Sequence, residues 1–183
     1  MKTKKRSPAG LLTILLIVLA VILMVRHFHI KAFYIVKPGV LYTSGQPRGM
    51  DYFRLLYRYH IATIISVRPA SEHREKNWRS EEITWARDNG VRYIELAVEK
   101  GRSFPNEQIQ AQFLDLMANK DYLPVLLHGQ GKDKRVAALT AAWLRKSQGC
   151  TVEQAVKVAE EIIKGRKLSE PEKKFLRELA ELI

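Results

Sequence analysis

The sequence predicts an α/β domain, a central and mainly parallel sheet flanked by helices, behind an N-terminal transmembrane helix. Three observations carry this. Short apolar runs alternate with amphipathic stretches from residue 51 to residue 148, the pattern left when strands and helices follow in turn. An uncharged stretch, AGLLTILLIVLAVILMV at residues 9–25, precedes them. The strand-like PVLLH runs into a glycine- and lysine-containing loop and then a helix, the place where open α/β folds bind ligands.

Residues 9–25 form a helix of roughly 25 Å at ~1.5 Å rise per residue, close to the lower limit for crossing a bilayer. The bulky ILMVRHFH that ends the stretch offers no small-residue cleavage site, which favours an uncleaved anchor over a removed signal peptide. Lys2, Lys4, Lys5 and Arg6 precede it, whereas Arg26 and Lys31 follow, so the charge bias puts the N-terminus in the cytoplasm and the domain outside. The expected organisation is a basic N-terminus at 1–8, an anchor at 9–25, a juxtamembrane linker at 26–32 and one domain at 33–183. His27 and His29 read as interfacial residues beside Phe28 rather than as a metal pair.

In the domain, AFYIVKPGVLYTSGQP gives two short β-rich runs, 33–36 and 40–43, with Lys37, Pro38 and Gly39 between them. GMDYFRLLYRYHI has Met50, Phe53, Leu56, Tyr57 and Ile61 at helical spacing. ATIISV at 62–67 is nearly continuous in apolar residues, as a strand buried on both faces is, and Arg68 and Pro69 end it. NWRSEEITWARDNG reads as a helix with Ser80 as cap and Gly90 as stop. VRYIEL is the next strand. NEQIQAQFLDLMANK is a helix presenting Ile109, Phe113, Leu114 and Met117, and LPVLLH is the last strand. DKRVAALTAAWLRKSQG is a helix ended by Gly149. Two more helices follow, capped by Thr151 and Ser169, the second with Pro171 in its first turn.

Composition bounds the function. At 183 residues, 46% hydrophobic and 27% charged, the chain is neither disordered nor fibrous. One cysteine, Cys150, excludes a disulfide framework and a cysteine-based zinc site. The net charge of +12 sits mostly at the front: the first 50 residues hold eight of the 31 Lys and Arg and no acid, and the other 23 face all 19 acids. A basic balance beside an apolar segment points to a membrane, and no nucleic-acid partner is expected. No metal-ligand cluster and no cofactor motif is seen.

The loop from Gly129 to Lys134 carries the chemistry. Gly129 and Gly131 let backbone N–H groups turn inward, the helix start near Asp133 adds partial positive charge, and Lys132, Lys134 and Arg135 add full charges. With Gln130, these residues describe a phosphate or sulfate cradle.

Here the sequence resembles the cysteine-dependent tyrosine and dual-specificity phosphatases in their compact bacterial form. The family signature is His-Cys, five residues, then Arg, between a strand and a helix. His128, Gly129, residues 130–134 and Arg135 match it in length. VLYTSGQPRGMDYFRLLYRYHIATIISVRP is similar to the family's entry region, NGVRYIEL to its next strand, and PVLLH to the strand before the signature; the match covers about residues 40–165. The resemblance implies a phosphatase-like fold, Arg135 as bidentate phosphate ligand, and His128 as the residue that would tune a thiolate. A one-residue gap would instead put Lys134 at the Arg position; the ungapped match continues as the family's helix does.

The departures set the functional expectation. Gly129 stands where the family has its nucleophilic cysteine, so no phosphocysteine forms. Cys150 follows the helix rather than the strand and is no substitute. Lys132 replaces a usual glycine, and Val136 a usual hydroxyl residue. The loop AVEKGRSFPNEQ lacks the general-acid Asp, leaving Glu99 as the only candidate there. The expected function is a membrane-anchored pseudophosphatase that binds a phosphorylated or anionic ligand or protein at 129–135. Two alternatives stay open: an active phosphomonoester (protein tyrosine) phosphatase, with Gly129 a variant of Cys or a water as nucleophile, and a tethered interaction domain without a ligand.

Overall fold

The computed structural model describes residues 8–73, 77–99, 104–164 and 168–181. Five strands form one sheet: β1 (Tyr34–Lys37), β2 (Leu41–Ser44), β3 (Thr63–Ser66), β4 (Arg92–Glu95) and β5 (Val125–His128). Their spatial order is β1-β2-β5-β3-β4. Only the β1–β2 pair, joined by the turn at Pro38 and Gly39, is antiparallel; the sheet is therefore mixed, with four parallel strands. β2, β3 and β5 are buried along their whole length, which explains their unbroken apolar runs.

Alternation along these strands divides the core in two. Leu41, Ile65, Val125 and Leu127 face one side, under α4 (Glu107–Ala118), α5 (Lys134–Gln148), α6 (Val152–Ile162) and α7 (Glu170–Glu181). Tyr42, Ile64 and Leu126 face the other, against α2 (Met50–Tyr57) and α3 (Trp78–Asp88). α5 is the central helix. Every residue from Arg135 to Leu144 in it is buried, because the sheet lies beneath it and α4, α6 and α7 surround it.

Some local expectations are corrected. The inward face of α2 is Tyr52 and Leu55, with Tyr52 stacked 4.8 Å from Trp85, while Met50, Phe53 and Tyr57 point outward. Ile61 is buried, but beyond the helix. The first residues of α3 lie before Ser80: Asn77 is its N-cap residue, and the Ser80 hydroxyl donates back to the Asn77 carbonyl at 2.8 Å. Gly90 follows it with φ 68°, the left-handed geometry of a helix stop. Thr151 and Gln154 form a reciprocal capping box on α6.

At the N-terminus a helix, α1, runs Pro8–Phe28. Its described side chains, from Gly10 to Val21 and at Met24, are exposed. Among the described residues no helix is long and apolar enough to cross a membrane. Most of the basic N-terminus expected at 1–8 lies outside the described residues, as do residues 100–103 of the loop searched for an acid. The linker expected at 26–32 joins the fold at Ile30, which is buried among Tyr42, Tyr52 and Leu55.

Candidate anion-binding site

The three inner parallel strands end level with one another. Ser44, His128 and Ser66 are partners across β2, β5 and β3. The loop leaves His128 at this edge, crosses Gly129 to Lys132, and enters α5 with Asp133 as N-cap. Gly45, just after β2, lies under it: a Cβ there would meet the Gly131 Cα at 3.0 Å, a tight contact that favours glycine. Lys31 clasps the loop from outside. Its Nζ donates to the Gln130 carbonyl at 3.1 Å, and its carbonyl accepts from the Gly45 N–H at 2.7 Å.

Arg135 turns into the loop and is buried there. Its Nε and Nη2 donate to Asp133 Oδ1 and Oδ2 at 2.9 and 2.8 Å, a two-pronged grip on one carboxylate. Nη1 donates to Glu72 Oε1 and to the Val98 carbonyl, both at 2.8 Å, and Nη2 reaches Glu72 Oε2 at 3.4 Å. The Asp133 carboxylate also accepts the backbone N–H of Arg135 at 3.0 Å and of Gln130 at 3.3 Å. Four N–H groups thus converge on one internal anion.

A Cβ on Gly129 would stand 2.7 Å from the Asp133 Cγ and nearer still to its Oδ2. The carboxylate therefore occupies the space where a side chain at position 129 would begin. Burial alone would raise the Asp133 carboxyl; the hydrogen bonds and charge of Arg135 outweigh it and hold it below the usual carboxylate range. Glu72 behaves likewise, burial being overcome by hydrogen bonds from Arg135 and Arg68. Burial would lower the Arg135 guanidinium, but Asp133 and Glu72 push it upward, so it is always charged.

A buried polar chain continues beneath the loop. Arg68, at the end of β3, donates from Nε to Glu72 Oε2 at 3.1 Å and from Nη1 to Gln46 Oε1 at 2.7 Å. Gln46 donates to Glu82 Oε2 at 3.0 Å, and Glu82 Oε1 faces His128 Nε2 at 3.3 Å. Glu82 and His128 are both fully buried. Burial first, then the Glu82 charge, raises the hydroxyls of neighbouring Tyr52 and Tyr93, which stay protonated.

Of the residues singled out in the sequence, His128, Gly129, Gln130, Gly131, Asp133 and Arg135 meet at this loop. Lys134 turns away and donates to Glu172 on α7 at 2.6 Å. Lys132 is exposed and reaches the Lys164 carbonyl at 3.4 Å. Glu99 is exposed, and among the described residues no hydrogen bond joins it to the loop. Sequence reasoning missed Gln46, Arg68, Glu72 and Glu82. Arg68 had a usable signal, since it follows a buried strand at its carboxyl end and has an acid four residues on. Among the described residues no group of His, Cys, Asp and Glu side chains is arranged to hold a metal.

Sheet order, loop and buried arginine define a phosphatase-type α/β domain of the tyrosine and dual-specificity class. The chain belongs to the family described as DSP-PTPase phosphatase fused to NAD+ kinase, whose sequence profile matches residues 39–178. Solved structures agree on the fold. The core catalytic domain of the PP-IP phosphatase Siw14 from S. cerevisiae, in complex with citrate, is similar with TM-score 0.66 and 18% identity, over 80% of this chain and 84% of that one. PTPMT1 in complex with PI(5)P is similar with TM-score 0.65 and 15% identity, over 83% and 96%. Tk-PTP in its active form is similar with TM-score 0.64 and 17% identity, over 83% and 98%. No curated protein matches the sequence.

Proposed function

We propose that this chain is a pseudophosphatase: a phosphatase-fold domain that holds a phosphorylated or otherwise anionic ligand at residues 129–135 without hydrolysing it, tethered to a membrane through residues 9–25. One observation carries the binding half. The loop already holds an anion, the Asp133 carboxylate, with a paired guanidinium edge and two backbone N–H groups. These are the donors a phosphoryl oxygen takes.

The chemistry of position 129 supports the absence of hydrolysis. Glycine has no atom that attacks phosphorus, and Glu99 is exposed, with no hydrogen bond to the loop among the described residues. Loss of a covalent nucleophile lowers rates by orders of magnitude. For the tether, the apolar run of residues 9–25 and its helical form in α1 are the support, and the basic flank favours a cytoplasmic N-terminus with the domain outside.

The test is calorimetric titration of the full chain in detergent with tungstate and with inorganic phosphate. Arg135→Lys keeps a charge opposite the two carboxylates but loses the fork. Binding that falls about tenfold or more in Arg135→Lys is expected, together with no phosphate release from an aryl phosphate. Equal binding in the two proteins would remove the loop as a site. Turnover that depends on Arg135 would replace this reading with that of an active phosphomonoesterase.

A further inference from the structure

We propose that Asp133 is the resident ligand of this loop and the residue that sets its affinity: an external phosphate enters by displacing the Asp133 carboxylate from Arg135. The inference rests on the anion-binding reading above and adds the residue that governs it.

The geometry exceeds what helix capping needs. An N-cap side chain accepts one N–H from the first turn, which Asp133 does with Arg135 at 3.0 Å. Here the same carboxylate also accepts Arg135 Nε, Arg135 Nη2 and the Gln130 N–H. Serine or asparagine would cap the helix equally well, so capping alone does not explain an aspartate folded back onto its own guanidinium. The carboxylate also lies against Gly129, at the root of the loop, where an incoming anion would have to sit.

The same bonds exclude Asp133 as a replacement nucleophile in this conformation. Oδ1 accepts from the Arg135 N–H and Nε, and Oδ2 from the Gln130 N–H and Arg135 Nη2. Both lone pairs of each oxygen are committed, leaving none to attack phosphorus.

Release of Asp133 would leave the rest of the site in place. Glu72 and the Val98 carbonyl hold Arg135 by Nη1, on the side away from Asp133. Arg68 in turn fixes Glu72 from the other side. The guanidinium therefore stays oriented when its Nε and Nη2 edge is vacated, and that edge is the one a phosphoryl group grips. A tethered carboxylate competes at high effective concentration, so the native loop binds free phosphate weakly.

The experiment compares the full chain in detergent with Asp133→Ser, which retains a capping hydroxyl but is too short to reach back. Asp133→Asn is the second variant: it keeps shape and cap and removes the charge. The probe is inorganic phosphate, followed by calorimetry and by the rise in melting temperature. Expected are an affinity for phosphate at least tenfold higher in Asp133→Ser, a smaller gain in Asp133→Asn, and loss of both gains when Arg135→Lys is added. If neither variant gains while native binding still depends on Arg135, Asp133 is not the resident ligand and the site reading survives alone. If no variant binds phosphate through Arg135, both readings fall together.

Discussion

A Cβ built on Gly129 would stand 2.7 Å from Asp133 Cγ and 2.8 Å from its Cβ, distances that real side chains do not tolerate. The neighbour is no loose chain end that can drift aside, because Asp133 caps α5 and is held by four N–H groups. Gly129→Ala should therefore destabilise the domain by about 1–3 kcal/mol, the range of overpacking in a filled site. Adding Asp133→Ser should relieve only part of that loss, since it removes the carboxylate but keeps the Cβ that stands 2.8 Å away, a coupling that thermal unfolding of the two single variants and the double variant would measure. Equal, additive losses would show that the two positions do not meet. Gly129→Cys alone faces the same obstruction, so restoring a thiol would also require moving Asp133. The spacing of His128, Gly129 and Arg135 made the loop and its arginine legible in the sequence. Its occupant was not. Asp133 could be read as the start of a helix, but the direction of its carboxylate depends on how Arg135 folds back, and Arg135 is steered by Glu72, 63 residues away.

At the scale of elements, one guanidinium joins three of them. The short 3-10 helix Ala70–His73 brings Glu72, the extension of β4 brings the Val98 carbonyl, and the start of α5 brings Asp133. The strands behind them were readable as apolar runs, since burial on both faces leaves little but Val, Ile and Leu. The short 3-10 helix has no such period and went unread. The helix faces were read unevenly: Phe113 and Met117 of α4 point inward as spaced, whereas α2 turned Tyr52 and Leu55 inward because the Trp85 ring on α3 stacks on Tyr52. The junction at Arg135 should be acid-sensitive. Glu72 and Asp133 have folded pKa values held below their unfolded ones. Their stabilisation is thus fully present above the unfolded carboxyl range, about pH 4–5, and is lost as pH falls through the depressed folded values. The melting temperature should fall as the pH drops below about 5, and less steeply in Glu72→Gln, which has one carboxyl fewer to protonate. Glu172, held low against its burial by Lys134 and Ser169, contributes equally to both proteins. Parallel pH profiles for native and Glu72→Gln would contradict the role given to Glu72.

For the whole molecule, alternation along the chain made the α/β class legible, while the order β1-β2-β5-β3-β4 was not, since pairing β2 with β5 depends on contacts far apart in sequence. The N-terminal segment shows the same limit. Its apolar composition is plain, but the point where the segment joins the domain is set by two residues without a local pattern. Ile30 is buried in the core on the α2 and α3 side of the sheet, and Lys31 bonds both Gly45 and Gln130. The last strut of the 129–134 loop therefore belongs to the residues just after α1. Two truncations separate tether from strut. A chain starting at His29 loses α1 and keeps Ile30 and Lys31; if residues 9–25 tether the full chain, this chain should leave the membrane fraction, and it should melt within a few degrees of the full chain. A chain starting at Phe33 should be equally free of membranes but melt lower, because exposing the Ile30 site forfeits about 1.5–3 kcal/mol of apolar burial and the clasp on the loop is gone. It should also bind phosphate differently from the chain starting at His29, since Lys31 no longer fixes the Gln130 carbonyl. Fractionation of cells expressing the three chains, followed by thermal unfolding of each purified protein, decides both points. A full chain found in the soluble fraction would remove the tether, and equal melting of the two truncated chains would remove the strut.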